Sequence, residues 1–357
     1  MKRLNELRNI LKEKSIDGIL ITSVPNITYL TGFTGDSSRL MVSAKGAALL
    51  TDGRYTEQAA TECDKEIEII LWLQNKRYGS ETYSNVAEKF GIKTLAFESH
   101  ISTFSEYDTL KNGLKNISLV PLSSAVETLR QVKDSYEIEY LKRACEISDK
   151  ALELTIPFIK EGITEIELAA RLEFHMKTNG AENISFDTIV LSGAKTSLLH
   201  GKPGEKKLEK GDFVLFDFGA LYKGYHADIS RTFILGEAND RQREMYRIIR
   251  EAQHDAVQAL KPGISGKVPD QVVRNIIPPE YIEYYYPGLG HGVGLQIHEE
   301  PFMGQAYDSY LAKNNVVTVE PGLYIPGWGG LRIEDTVVIY DGSVESLTRF
   351  PRDLQIL

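Results

Sequence analysis

Two carboxylates stand where a buried strand would ordinarily exclude them. Asp217 follows the apolar run Phe213-Val-Leu-Phe216, and Asp228 leads into Ile229-Ser-Arg-Thr-Phe-Ile-Leu235. An isolated ionised group out of water is very costly, so such a pair needs a positive partner. Hairpin positions pair symmetrically about the turn. For 217 and 228 the centre falls between Tyr222 and Lys223, which predicts the two aspartates directly opposite each other on one face. Paired Cα atoms in such a ladder lie only ~4.5–5.5 Å apart. Glu320 and Glu334 repeat the arrangement about Gly327, inside a Pro-Gly-Trp-Gly-Gly turn. One such pair could be a surface pair or a structural salt bridge. Two of them, both in apolar strands, point to a shared cation site.

A third component is Pro287-Gly-Leu-Gly-His291-Gly-Val-Gly-Leu-Gln-Ile-His298. Glycines on both sides of His291 permit close approach of backbone or ligand. Four carboxylates and one imidazole form an oxygen-rich site for two divalent cations. Such hard ligands suit Mn²⁺ first, with Co²⁺, Zn²⁺ or Fe²⁺ as alternatives. Two ions ~3.5–4 Å apart could share a hydroxide, polarise a carbonyl and stabilise a tetrahedral oxyanion. Strand alternation also puts His226 on the face of Asp228, so it is a rival ligand unless a bulge at Gly219 redirects it.

The elements that must position these residues fall into two groups. Up to about residue 122, short apolar runs (Gly18–Thr22, Ala47–Thr51, Ile67–Leu71, Leu95–Phe97) alternate with polar helical stretches. That pattern predicts an α/β domain with a mixed sheet. Leu4, Leu7 and Leu11 recur at helical spacing, which predicts an amphipathic first helix. From Asp134 the chain turns strongly helical. A Thr164-x-x-Glu167 capping box opens a second helix, and Asn179-Gly180 closes it. Strands and hairpins follow to Leu235, then a helix over about 239–260, a shorter one carrying Val272, Val273, Ile276 and Ile277, and strands from Val316 to Tyr340. The order, helices and then a hairpin with two acids, occurs twice. We place the domain boundary so that residues 1–125 and 126–357 are separate.

Composition narrows the class. The 357-residue chain is 42% hydrophobic and 25% charged, with a formal net charge of -9, which predicts a globular protein that binds neither nucleic acid nor membrane. Its two cysteines, Cys63 and Cys145, lack metal-ligand spacing and fit a reducing compartment. The charged first residues show no signal-peptide core, and no apolar run approaches the ~18 residues of a spanning helix. The expected location is cytoplasmic.

Together, Asp217-Phe-Gly-Ala, Asp228-Ile-Ser-Arg-Thr, Gly290-His-Gly-Val-Gly, Val319-Glu-Pro-Gly and Arg332-Ile-Glu-Asp resemble the Xaa-Pro peptidases, the pita-bread metallopeptidases that include aminopeptidase P and prolidase. The resemblance covers nearly the whole chain. It implies a creatinase-like N-terminal α/β domain and an α+β pita-bread domain with a curved antiparallel sheet and a pseudo-two-fold repeat. Position by position it implies Asp217, Asp228, His291, Glu320 and Glu334 as ligands of two metal ions, and leaves His226 outside the set. It further implies Glu320 as proton acceptor, His200 and His298 as histidines that contact substrate, Arg332 as an active-site arginine, and Phe186 and Ile297 as walls of the side-chain pocket. Lys195-Thr-Ser-Leu-Leu-His200 departs from the family's frequent Asn-Ser-Ala-Leu-Pro-His, and the missing proline is expected to loosen the loop that aims His200. The expected substrates are peptides with proline at the second position, and the expected assembly is a homodimer. Leu49-Leu-Thr-Asp52-Gly-Arg54-Tyr55 looks more like aminopeptidase P relatives than archaeal prolidases, so the expected activity is Xaa-Pro aminopeptidase through a metal-bridging hydroxide, with Xaa-Pro dipeptidase as the alternative. A non-catalytic binding protein on this fold would lack the metal ligands, and all five ligand types are present.

Overall fold

The computed structural model describes residues 2–72 and 80–357, which form two compact units, Met1–Arg130 and Gln131–Leu357. In the first unit, helices α1 (Lys2–Glu13), α2 (Val24–Thr31), α3 (Thr56–Glu62), α4 (Ser80–Phe90), α5 (Phe104–Gly113) and α6 (Ala125–Arg130) accompany strands β1 (Gly18–Ile21), β2 (Ser38–Ser43), β3 (Gly46–Thr51), β4 (Ile67–Leu71), β5 (Thr94–Glu98) and β6 (Ser118–Leu122). The strands form one sheet in the order β4-β3-β2-β1-β5-β6. β1 is antiparallel to β2 and parallel to β5, so the sheet is mixed as expected. Leu4, Leu7 and Leu11 of α1 are all buried.

The second unit repeats its element order. Helices α7 (Ser135–Thr155) and α8 (Glu165–Thr178) precede β7 (Asn183–Ile184), β8 (Ile189–Ser192), β9 (Phe213–Phe218), β10 (Ala220–Tyr222), β11 (Tyr225–His226) and β12 (Ile229–Ile234). Helices α9 (Asp240–Ala259) and α10 (Lys267–Ile276) precede β13 (Gly290–Gly292), β14 (Glu299–Met303), β15 (Val316–Val319), β16 (Gly322–Ile325), β17 (Gly329–Arg332), β18 (Asp335–Tyr340) and β19 (Ser343–Ser346). These strands pair antiparallel throughout. Capping boxes at Asp134/Glu137, Thr164/Glu167 and Asn239/Gln242 start three of the helices. Each helix pair covers its own core. Leu152, Leu168 and Leu172 meet Phe216 and Phe233 in one, and Ile249, Ala252 and Val273 meet Val317, Leu331 and Val337 in the other.

The two acid-bearing hairpins keep different registers. In the second, Gly322 faces Arg332 and Val319 faces Asp335, so Glu320 and Glu334 fall opposite each other between two ladders, as expected. In the first the expectation fails. Asp217 faces Ser230, and Leu221 faces His226, so Asp228 sits two residues short of the position opposite Asp217. The turn lies one residue later than expected, on Lys223-Gly224, with φ of 51° and 77°. A two-residue turn with positive φ at both positions favours glycine at its second position, and only that frame supplies one. The ladder also breaks at Gly219, where a Cβ would lie 1.8 Å from the Ala227 carbonyl oxygen.

Candidate metal centre and active site

A cavity of about 840 Å³ opens in the second unit. Phe186, His200, Asp217, Asp228, His291, Ile297, His298, Glu320 and Arg332 all line it. Glu334 lies just behind, almost wholly buried. Each of the four acids stands at, or within one residue of, a strand end. Asp217 is in β9, Asp228 precedes β12, Glu320 follows β15 and Glu334 separates β17 from β18. Strand termini leave the ladder without losing its alternation, so the acids can point inward while the flanking strands stay paired.

His291 Nε2 lies 3.6 Å from Asp228 Oδ2 and 3.3 Å from Glu320 Oε1. Asp228, His291 and Glu334 each offer a ligand atom within 4.8 Å of the others. Asp228 Oδ1 and Glu334 Oε1 are buried with no hydrogen-bond donor among the described residues. Buried carboxylate oxygens are normally satisfied, and two unsatisfied ones beside an imidazole form the donor set a hard divalent cation takes. The residues therefore fit the metal that the sequence predicts. Asp217 is held differently, in an ion pair with Arg332 Nη2.

Electrostatics divide the acids. Burial, joined by the charges of the neighbouring acids, pushes the carboxyls of Asp228 and Glu334 well above the ordinary range. Burial also raises Asp217, although Arg332 opposes it. Glu320 goes the other way: burial works to raise it, but the hydrogen bond and charge of His291, with Arg332, hold it below its usual value. Burial works to lower His291, and its contact with Glu320 outweighs that and raises it. His298, its ring 4.4 Å from that of His291, is lowered by burial and by the neighbouring imidazole.

Supporting residues outside the expected set hold these groups. Ser230 Oγ donates to Glu334 Oε2 at 2.6 Å and accepts from Arg332 Nε at 2.7 Å. Thr318 Oγ1 donates to Glu320 Oε1 at 3.1 Å and accepts from the His291 backbone N–H at 3.1 Å. Tyr324 Oη accepts from Arg332 Nη1 at 2.7 Å. Ser230 and Thr318 were detectable in the sequence as polar residues two positions from an acid in an apolar strand; Tyr324 carried no such signal. Behind the strand, Arg231 donates to the carbonyl of Glu334 and to Asp335 Oδ1. His226 is turned to Ser185, with Nδ1 2.9 Å from Oγ and 3.0 Å from the carbonyl oxygen, and it does not line the cavity.

Fold and site together define a metal-dependent peptidase built on two helix–hairpin repeats. The chain belongs to metallopeptidase family M24, whose model matches residues 139–341, and residues 3–132 match the creatinase/prolidase N-terminal domain. The resemblance to the Xaa-Pro peptidases and the fold it implied both hold. The chain is 38% identical to a Xaa-Pro dipeptidase of Pyrococcus furiosus over 99% of each chain. It resembles the solved Xaa-Pro dipeptidase of Bacillus anthracis at 40% identity and a TM-score of 0.95, covering 100% of this chain and 99% of that one. It also resembles the solved X-Pro aminopeptidase of Thermotoga maritima, at 37% identity and a TM-score of 0.90 over 99% of each. The full-length likenesses, an archaeal dipeptidase among them, fit the dipeptidase alternative better than the aminopeptidase preference drawn from Leu49–Tyr55. Among the described residues no helix is long and apolar enough to cross a membrane.

Proposed function

We propose that this protein is a metal-dependent Xaa-Pro dipeptidase, hydrolysing the bond between a first residue and a proline that follows it. The chemistry rests on one observation: the donorless carboxylate oxygens of Asp228 and Glu334 beside His291. The choice of dipeptidase rests on the full-length relatives.

In this reading Asp217, Asp228, His291, Glu320 and Glu334 hold two divalent ions, Mn²⁺ foremost, with Co²⁺, Zn²⁺ or Fe²⁺ as alternatives. Such ions, when bound, polarise a carbonyl and make water acidic near neutral pH. Glu320 stays ionised because His291 and Arg332 hold its carboxyl down, so it can accept the proton of the attacking water and return it to the departing proline nitrogen. His298 stays neutral near pH 7 because burial and His291 lower it, and a neutral imidazole can donate a hydrogen bond to a developing oxyanion. His200 approaches from the loop at the cavity wall. Arg332 orients Asp217 through their ion pair. Phe186 and Ile297 contribute apolar wall and exclude water from the scissile bond. This machinery lies within residues 126–357. A homodimer in the cytoplasm completes the proposal.

The test compares metal-loaded hydrolysis of Xaa-Pro dipeptides with that of Xaa-Pro-Xaa tripeptides. Turnover of dipeptides with little of tripeptides is expected. The second reading, Xaa-Pro aminopeptidase, is favoured by likeness to the Thermotoga maritima enzyme, and preferred cleavage of tripeptides would select it.

A further inference from the structure

Glu165 opens α8 with its side chain fully buried, and the reaction outlined above makes no use of it. Its carboxylate instead gathers both ends of one loop. Oε1 accepts from the Ser192 N–H at 2.8 Å and from Ser192 Oγ at 3.1 Å, where the chain leaves β8. Oε2 accepts from the Gly204 N–H at 3.1 Å, where the loop returns. Lys195 completes the closure, donating from Nζ to Glu165 Oε2 at 2.5 Å and to the Lys202 carbonyl at 2.7 Å. Every residue from Leu199 to Pro203 lines the cavity, and His200 is among them.

His200 itself is exposed, and so is Leu198. Side-chain packing therefore does not hold this imidazole in place, and its direction must come from the backbone. Three backbone anchors hold the loop: Ser192 and Gly204 at the neck, and the Lys202 carbonyl two residues beyond His200. Thr196 adds an independent tie, its Oγ1 accepting from the Gly330 N–H at 2.7 Å on the strand that leads to Arg332.

We infer that Glu165 and Lys195 are positioning residues: they clamp the neck of the Ser192–Gly204 loop and so aim His200 at the reacting centre. The inference rests on the proposed function only for the task of His200; the clamp itself is a property of the loop. Several features make it more than a stability device. Glu165 is bonded to both ends of the loop and to Lys195, and Lys195 is only partly buried, so its removal leaves no large cavity.

The test uses the full-length, metal-loaded protein with K195M, K195R and E165Q, each also built into H200A. K195M is expected to lower kcat for an Xaa-Pro dipeptide by about 10- to 100-fold, the scale of an ångström-sized misplacement of a reacting group. KM and bound metal should stay close to wild type, the melting temperature should fall because the buried Glu165 carboxylate loses its cation, and backbone amides of residues 193–203 should exchange faster. K195R should recover most of the loss. In H200A, K195M should cost almost nothing more, because coupled residues are non-additive. If K195M costs as much in H200A as in wild type, or leaves both kcat and loop exchange unchanged, the inference is overturned. Should E165Q fold poorly, K195M carries the test alone. Should wild type hydrolyse no Xaa-Pro peptide, the functional proposal fails, and loop exchange in K195M still decides whether the clamp exists.

Discussion

Glu334 and Asp335 are consecutive, equally buried and oppositely treated. Asp335 Oδ1 accepts from Arg231 Nη2 and Thr348 Oγ1, each at 2.8 Å. Its Oδ2 accepts from Gln253 Nε2 at 2.9 Å and pairs with Arg352 Nε at 2.7 Å. Glu334 has the Ser230 hydroxyl on one oxygen and no donor on the other, and the similarly short-handed Asp228 stands nearby. Alternation along the strand sends the two acids to opposite faces, one into a closed network and the other toward the cavity. A buried acid with four donors is structural, whereas two buried acids short of donors beside an imidazole call for a cation. Asp149 is an intermediate case. Its Oδ2 accepts from the Arg349 N–H at 2.6 Å, and among the described residues its Oδ1 has no donor and it belongs to no acid–imidazole cluster.

The comparison can be broken or sharpened by substitution. The largest effect is expected from Glu320→Gln on the cavity face: a loss of about 10²–10⁴-fold in kcat, the range of a removed general base, with an unchanged circular dichroism spectrum. Retained activity would remove its role as base. Asp335→Asn on the opposite face should instead cost about 3–5 kcal/mol in urea unfolding, because it leaves the buried guanidinium of Arg231 and the half-buried one of Arg352 undercompensated. A stability like that of wild type would erase the distinction between the faces. Asp228→Asn should lower hydrolysis yet leave the metal-free protein as stable as wild type or more so, since it removes a buried carboxyl whose ionisation burial and the neighbouring acids oppose. The rise in melting temperature that added Mn²⁺ gives wild type should disappear with it. The smallest effect belongs to Asp149→Asn. Burial raises the Asp149 carboxyl from 3.8 to about 6, so its contribution to stability is full below the lower value and lost as pH rises through the upper one. The variant should exceed wild type by about 1–2 kcal/mol above pH 6, after discounting for partial exposure, and the gap should close on acidification. A gap that widens on acidification would reverse the sign of this account.

Much of the fold was legible because it depends on local pattern. The capping box at Thr164, the buried stripe of α1 and the repeated order of helices and hairpins all follow from residue type and period. The Glu320–Glu334 register was legible too, since the Pro326-Gly327-Trp328 turn fixes it locally. The Asp217–Asp228 register was not. Two frames one residue apart compete there, and the deciding fact is which frame puts glycine at a positive φ. The break at Gly219 lay further out of reach, because it depends on the approach of Ala227 from the other strand.

By itself, the sequence determined the chemical inventory: four acids in apolar strands, a histidine among glycines, and the motifs that carry the family. Those are statements about residue type and spacing, and they survive any choice of register. Only the tertiary structure decided how each buried acid is satisfied. It gave Asp335 its donors from Arg231, Gln253, Thr348 and Arg352, turned Asp217 to Arg332, and left Asp228 and Glu334 with free oxygens beside His291. The physical reason is that hydrogen-bond satisfaction in the interior depends on groups a hundred or more residues apart in the chain, such as Arg231 and Asp335, and no local pattern records which of them will meet.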